Sequence, residues 1–267
     1  MTSHSADVEV DPDAEIKHQV EVVQEHEHEQ ENAKAAAHGD VEGSKSAPNE
    51  QNDENQGGGD NHDDADDDVW LFGYGSLIWK PDIEYEEQVD VYASGYSRRF
   101  WQGSPEHRGT EEAPGLVVTL LTPEEHQKVQ DDHNVEKGQR DTPDNRVWGR
   151  IFRVKGHIMR ATMAALEHRE KAGYAKEYVQ TTDPAGVVRT ALVFRATPDN
   201  EHFFGPRPEE AIAKHIASSE GESGHNLEYF LRMYEALCLV QKEFPEHHDI
   251  VDDHLRKVHA NLPENAR

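Results

Sequence analysis

The chain has 267 residues, with 54 acidic against 27 basic side chains and a formal charge of −27. Such a balance disfavours nucleic acid and anionic membrane surfaces as partners, both of which reward clustered Lys and Arg. No apolar run approaches the roughly 20 residues needed to span a bilayer, and the single cysteine, Cys238, rules out a disulfide framework or a multi-cysteine metal site.

The charge is unevenly placed. Residues 1–68 hold 21 acidic and 3 basic side chains and no Phe, Trp or Tyr; the remainder holds 33 and 24. A segment so charged and so poor in large apolar groups cannot bury enough surface to offset its ordering entropy. Residues 1–68 are therefore expected to be a disordered acidic tail, and 69–267 a single domain. The N-terminus is acidic and lacks an apolar signal core, which makes the cytosol the expected address.

From Val69 the pattern is strand-rich. Val69–Phe72, Val89–Ala93, Ser97–Gln102, Leu116–Leu121 and Val147–Val154 are short β-branched or aromatic runs bounded by Gly, Pro and polar clusters. Thr122–Arg146 reads as a long polar excursion, with a short helix at Pro123–Gln130. His157–His168 has helical spacing, with Ile158, Met159, Thr162, Met163 and Leu166 on one face. Strands follow at Glu177–Thr182 and Val187–Ala196, then helices at Pro208–Ser218, Asn226–Glu243 and Asp249–Asn261. The expected class is α+β: a curved sheet or small barrel with helices packed at one side.

Four stretches could carry chemistry. In Val69–Pro81 a buried strand runs into Gly73-Tyr74-Gly75-Ser76-Leu77; glycines there allow a tight bend and bring amide groups close to a ligand, as an anion-binding nest would, or simply make a turn. The spacing is not that of a nucleophile elbow, because Ile78 stands where its second glycine belongs. Ser97–Gly109 concentrates Arg98, Arg99 and Arg108 among Phe100 and Trp101, suited to a carboxylate ligand or to pairing with the chain's own acids. Strand alternation puts Arg98 and Phe100 on one face and Arg99 and Trp101 on the other.

The third stretch, Leu166–Tyr174, holds Glu170 near a helix C-terminus. There the macrodipole favours a raised pKa suited to proton transfer, but Arg169 and Lys171 flank it and could cancel that effect, and the residues alone favour an ordinary solvated Glu. In the fourth, Ser223–Tyr229, Asn226 is a good helix cap, and the helix start could face an anion. Cys238 between Leu237 and Leu239 reads as a packing residue. The histidines His26, His28 and His62 lack a metal-site spacing.

In this order the fragments resemble the ChaC family of glutathione-specific γ-glutamylcyclotransferases. The likeness is carried by Phe72–Trp79, Ser97–Ser104, His107–Gly109, Val117–Leu120, Trp148–Gly149, Arg169–Tyr174, Gly205–Pro208 and Ser223–Tyr229, across about 175 residues. It implies a γ-glutamylcyclotransferase-type small mixed β-barrel with flanking helices. It implies Glu170 as catalytic base and then acid, and substrate binding by Tyr74, Gly75, Ser76 and Leu77, with Arg99 and Tyr229 as further substrate contacts. The implied substrate is glutathione, released as 5-oxoproline and cysteinylglycine, with no metal and no cofactor. Departures from the family pattern lie at Glu106, His225 and Leu227, and the changes beside Asn226 put a substrate role for that helix start in doubt. Other γ-glutamyl substrates, an idle regulatory protein, and a serine hydrolase built on Ser76 and His107 stay open as alternatives.

Overall fold

The computed structural model describes residues 68–156, 158 and 174–266. Its strands are β1 (Val69–Gly73), β2 (Glu87–Ser94), β3 (Ser97–Ser104), β4 (Gly115–Leu121), β5 (Arg146–Val154), β6 (Tyr174–Thr182) and β7 (Val188–Ala196). A short hairpin joins β8 (Glu220–Gly221) to β9 (Gly224–His225). The helices are α1 (Pro123–Asp132), α2 (Glu209–Ser218), α3 (Asn226–Glu243) and α4 (Asp253–Ala260). No helix among the described residues is long and apolar enough to cross a membrane.

Five strands close a mixed barrel in the order β1-β5-β2-β6-β7, with β7 returning to β1 through one parallel pairing, Leu71 with Leu192. β3 and β4 form a separate antiparallel ribbon, and every residue of β3 is buried. The helices α2 and α3 pack against β4, so the ribbon lies under the helices. Phe72, Phe100, Trp101, Trp148 and Phe230 are almost wholly buried in one shared core. Each large apolar side chain so buried contributes about 1.5–3 kcal/mol before entropy is subtracted.

This is the barrel with flanking helices that the sequence led us to expect. The strand expectations in β1 to β5 agree within three residues, and β6 begins three residues early, at Tyr174. The excursion between β4 and β5 is more ordered than its composition suggests. Thr122 caps α1 in a reciprocal capping box: its hydroxyl accepts from Glu125 N, and Glu125 accepts from Thr122 N. The same Glu125, with Glu177, grips Arg195 and ties α1 to β6 and β7.

Two helix starts differ from expectation. The last helix begins at Asp253, because Asp252 accepts from Leu255 N and acts as its cap. Asn226 is not a cap: His225 holds that position, and Asn226 is fully buried as the first residue of α3. Its side chain donates to Leu116 O and accepts from Leu116 N, both at 2.7 Å, pairing with β4 as a neighbouring strand would. The expected helix over His157–His168 lies outside the described residues except for Ile158, and Glu170 lies outside them entirely.

Candidate active site

The Tyr74–Leu77 loop leaves the end of β1 and folds straight into a single 3₁₀ turn, Ser76–Ile78. Ile78 N donates to Gly75 O at 3.0 Å, and Lys80 N donates to Ser76 O at 2.9 Å. The turn's own bonding therefore begins at Ile78. Glycine is required at both ends of this fold-back. A Cβ on Gly73 would stand 2.5 Å from Leu77 Cβ, and one on Gly75 would stand 2.9 Å from the Tyr229 hydroxyl oxygen.

Tyr229, on the first turn of α3, is nearly buried and held on several sides. Its ring meets Trp79 edge-on at 5.4 Å and Phe100 at 6.2 Å, while the Arg108 guanidinium lies over it at 5.8 Å. Arg108 in turn donates to His225 O at 3.0 Å and to Glu228 Oε2 at 2.9 Å. Arg232 donates to the other oxygen of Glu228. The 107–109 segment is clamped by the β8–β9 hairpin, with Ser223 N bonded to His107 O at 3.0 Å. His107 Nδ1 lies 3.1 Å from Ser223 Oγ.

β3 divides its two neighbouring arginines as alternation predicts. Arg98 and Phe100 face the loop and Tyr229: Arg98 Nη1 donates to Tyr74 O at 2.8 Å. Arg99 and Trp101 face the excursion, where Trp101 stacks on His126 of α1 at 5.3 Å. Arg99 donates to Asp141 and Asp144, to Thr142 O and to Arg98 O. Most of its donors are thereby engaged by the 141–144 segment, on the face of β3 opposite Tyr74 and Tyr229.

Electrostatics follows from that burial. Burial would raise the Asp141 carboxyl, but the His126 ring and the Arg99 guanidinium beside it outweigh this and hold it well below the usual carboxylate range. Burial pushes Asp144 up, further than Arg99 pulls it down, with Asp252 adding repulsion. His254, wholly buried next to this cluster, is lowered to about 3 by burial and then by the charge of Arg99. Phe100 N donates to its Nε2 at 3.2 Å, so that nitrogen is unprotonated and the ring is neutral.

The structure thus brings Tyr74, Gly75 and Tyr229 together, with Ser76 and Leu77 on the same turn, and sets Arg99 apart from them. Arg108 and Glu228 were present in the sequence motifs without an assigned partner. Their pairing depends on a contact between residues 120 positions apart, which no local pattern reveals. Cys238 is half-buried against the core. Among the described residues no group of three or more His, Cys, Asp or Glu side chains could hold a metal ion.

A family model described as ChaC-like protein matches residues 69–264. Glutathione-specific gamma-glutamylcyclotransferase 1 of Rattus norvegicus is 40% identical over 186 residues, covering 67% of this chain and 74% of its own. The protein of that name from Danio rerio is 39% identical over 204 residues, covering 74% and 91%. A crystal structure of a glutathione-specific gamma-glutamyl cyclotransferase from yeast superimposes with a TM-score of 0.61 at 28% identity, covering 75% of this chain and 100% of that one. The glycine loop, the buried ribbon and the aromatic wall around Tyr229 all fall inside the matched region, and the chain belongs to the ChaC-like family.

Proposed function

We propose that this protein is a glutathione-specific γ-glutamylcyclotransferase. The observation that carries the reading is the packing of the Gly75 turn against Tyr229, within a region similar to several proteins of that name. The catalytic unit is 69–267, and the setting is the cytosol, a reading supported by the acidic N-terminal sequence without an apolar signal core.

The reaction is intramolecular. The α-amine of the γ-glutamyl residue attacks its own side-chain carbonyl, a C–N bond closes the five-membered lactam, and the amide bond to cysteine breaks. Holding the substrate folded supplies much of the rate, since well-oriented intramolecular reactions reach effective molarities on the order of 10⁵ M or more. Glu170 takes the amine proton and returns it to the departing cysteinylglycine nitrogen, an assignment supported by the Arg169–Tyr174 motif. Gly75, Ser76 and Leu77 offer backbone N–H groups to the carbonyl oxygen as it gains charge. Tyr74 and Tyr229 wall the γ-glutamyl group.

The carboxylate-binding role expected of Arg99 is better suited to Arg108. Arg108 lies over Tyr229, whereas Arg99 is engaged by Asp141 and Asp144. No cofactor enters this scheme. Purified protein given reduced glutathione is expected to release 5-oxoproline and cysteinylglycine in equal amounts. Turnover confined to γ-glutamyl dipeptides or amines would overturn the substrate, and no turnover on any γ-glutamyl compound would overturn the reaction.

A further inference from the structure

Directly beneath the glycine loop lies a buried ion pair that the reaction above does not use. Arg98 has no exposed surface; its Nε donates to Asp252 Oδ2 at 2.9 Å, and its Nη1 donates to Tyr74 O at 2.8 Å. Its Nη2 is buried with no hydrogen-bond partner among the described residues. Burying a charge pair with a donor left over is an unfavourable way to stabilise a core, and an apolar side chain of similar volume would often serve better. What a guanidinium adds here is a charged donor fixed on one carbonyl.

That carbonyl belongs to the peptide joining Tyr74 to Gly75. In a trans peptide the C=O and the following N–H point to opposite sides. With Tyr74 O drawn onto Arg98, the Gly75 N–H is turned away from the buried pair. A charged donor on the oxygen also polarises the amide and strengthens its N–H as a donor. Asp252 is itself fixed, because its other oxygen accepts from Leu255 N as the cap of α4. The chain thus links a helix start near its C-terminus, through two side chains, to one peptide plane near residue 75.

We infer that Arg98 is a positioning residue for the cyclotransfer, held by Asp252 and acting through Tyr74 O to aim the Gly75 N–H at the carbonyl oxygen that gains charge. This rests on the reading of Tyr74–Leu77 as the substrate loop. It assigns Arg98 no contact with substrate. Its neighbour Arg99 shares the ribbon but has a separate task, holding the 141–144 segment.

The test compares the full-length wild type with Arg98→Met/Asp252→Asn, Asp252→Asn and Gly75→Ala, in steady-state kinetics on glutathione and in thermal unfolding. The double variant removes both charges together, so neither is stranded, and Asn remains a competent helix cap. It is expected to lose about tenfold to a hundredfold in kcat, somewhat less than the loss of an oxyanion-hole donor outright, with KM within about threefold of wild type. A folded double variant with wild-type kcat overturns the inference, as does a loss seen in KM alone. If the double variant does not fold, Asp252→Asn carries the test: kcat lower by about threefold or more at unchanged KM supports positioning, and unchanged kcat overturns it. Gly75→Ala separates the two levels. If it too turns over like wild type, the loop reading has failed; if it is inactive while the Arg98 and Asp252 variants are not, only the inference about Arg98 has failed.

Discussion

The Tyr229 hydroxyl oxygen lies 2.9 Å from the point where a Cβ on Gly75 would stand, so the loop and the start of α3 touch through a position that only glycine fits. A strand end and a helix separated by some 150 residues of chain meet there, and the aromatic wall of Trp79 and Phe100 keeps the tyrosine ring from retreating.

Gly75→Ala forces either the turn or Tyr229 to move. The expected result is a loss of glutathione turnover of about tenfold or more, because misplacement by a fraction of an ångström disrupts an aligned intramolecular attack. Thermal unfolding is expected to fall modestly as well, because the added methyl presses on the buried Tyr229 and Val118. Full turnover by this variant would show that the loop does not hold the substrate.

Arg99 separates a structural role from a ligand role. Arg99→Met strands Asp141 and Asp144 in a mostly buried setting, and removing one partner of such a cluster costs about 3–5 kcal/mol. Urea unfolding should show that loss, while the fraction that remains folded binds glutathione with an unchanged KM. A raised KM with stability intact would instead assign Arg99 to the substrate. Arg108→Met is expected to raise KM; it also removes one of the two arginines on the buried Glu228 carboxylate, so part of its effect falls on stability, and the rise in KM is what distinguishes it from Arg99→Met.

Asn226 is the joint between α3 and the ribbon. Asn226→Leu keeps the volume and strands both backbone groups of Leu116, at about 1–3 kcal/mol for each buried group left unpaired. Denaturant unfolding measures this directly. Equal stability of the variant would mean that water or another group replaces the amide.

Stability falls on the acid side, and the sign follows from His254. Its folded pKa is about 3 against an ordinary 6.5, so between those values the unfolded chain takes a proton that the folded chain refuses. Its contribution is complete above about pH 6.5 and declines as pH falls toward 3, by about 1.4 kcal/mol per pH unit from this one group. Asp141 acts in the same direction lower down: its contribution is present above its ordinary value of 3.8 and is lost below it. Urea unfolding at pH 7.5 and 5 should therefore differ, and His254→Gln, which keeps an acceptor for Phe100 N, should flatten the difference. An unchanged pH dependence in that variant would contradict the assignment.

Much of this was legible in the sequence. The strands announce themselves as short apolar runs, and alternation alone separates Arg98 with Phe100 from Arg99 with Trp101. What alternation cannot say is which face meets the site, because that depends on Asp141, Asp144 and Asp252, more than 40 residues away. Asn226 misled for a related reason. Its residue type favours a cap, but a buried strand edge competed for its amide and won. The β8–β9 hairpin, two residues a side, is too short to leave a periodic signal.

The most direct test of the account is glutathione turnover by wild type and Glu170→Gln, side by side, with 5-oxoproline and cysteinylglycine quantified by mass spectrometry. Gln keeps the shape of the side chain and removes its basicity. The account predicts equal amounts of both products from the wild type and, from the variant, a loss of about 10²–10⁴-fold or complete silence. A variant that turns over glutathione like the wild type would contradict it, and the proton would have to pass through another group.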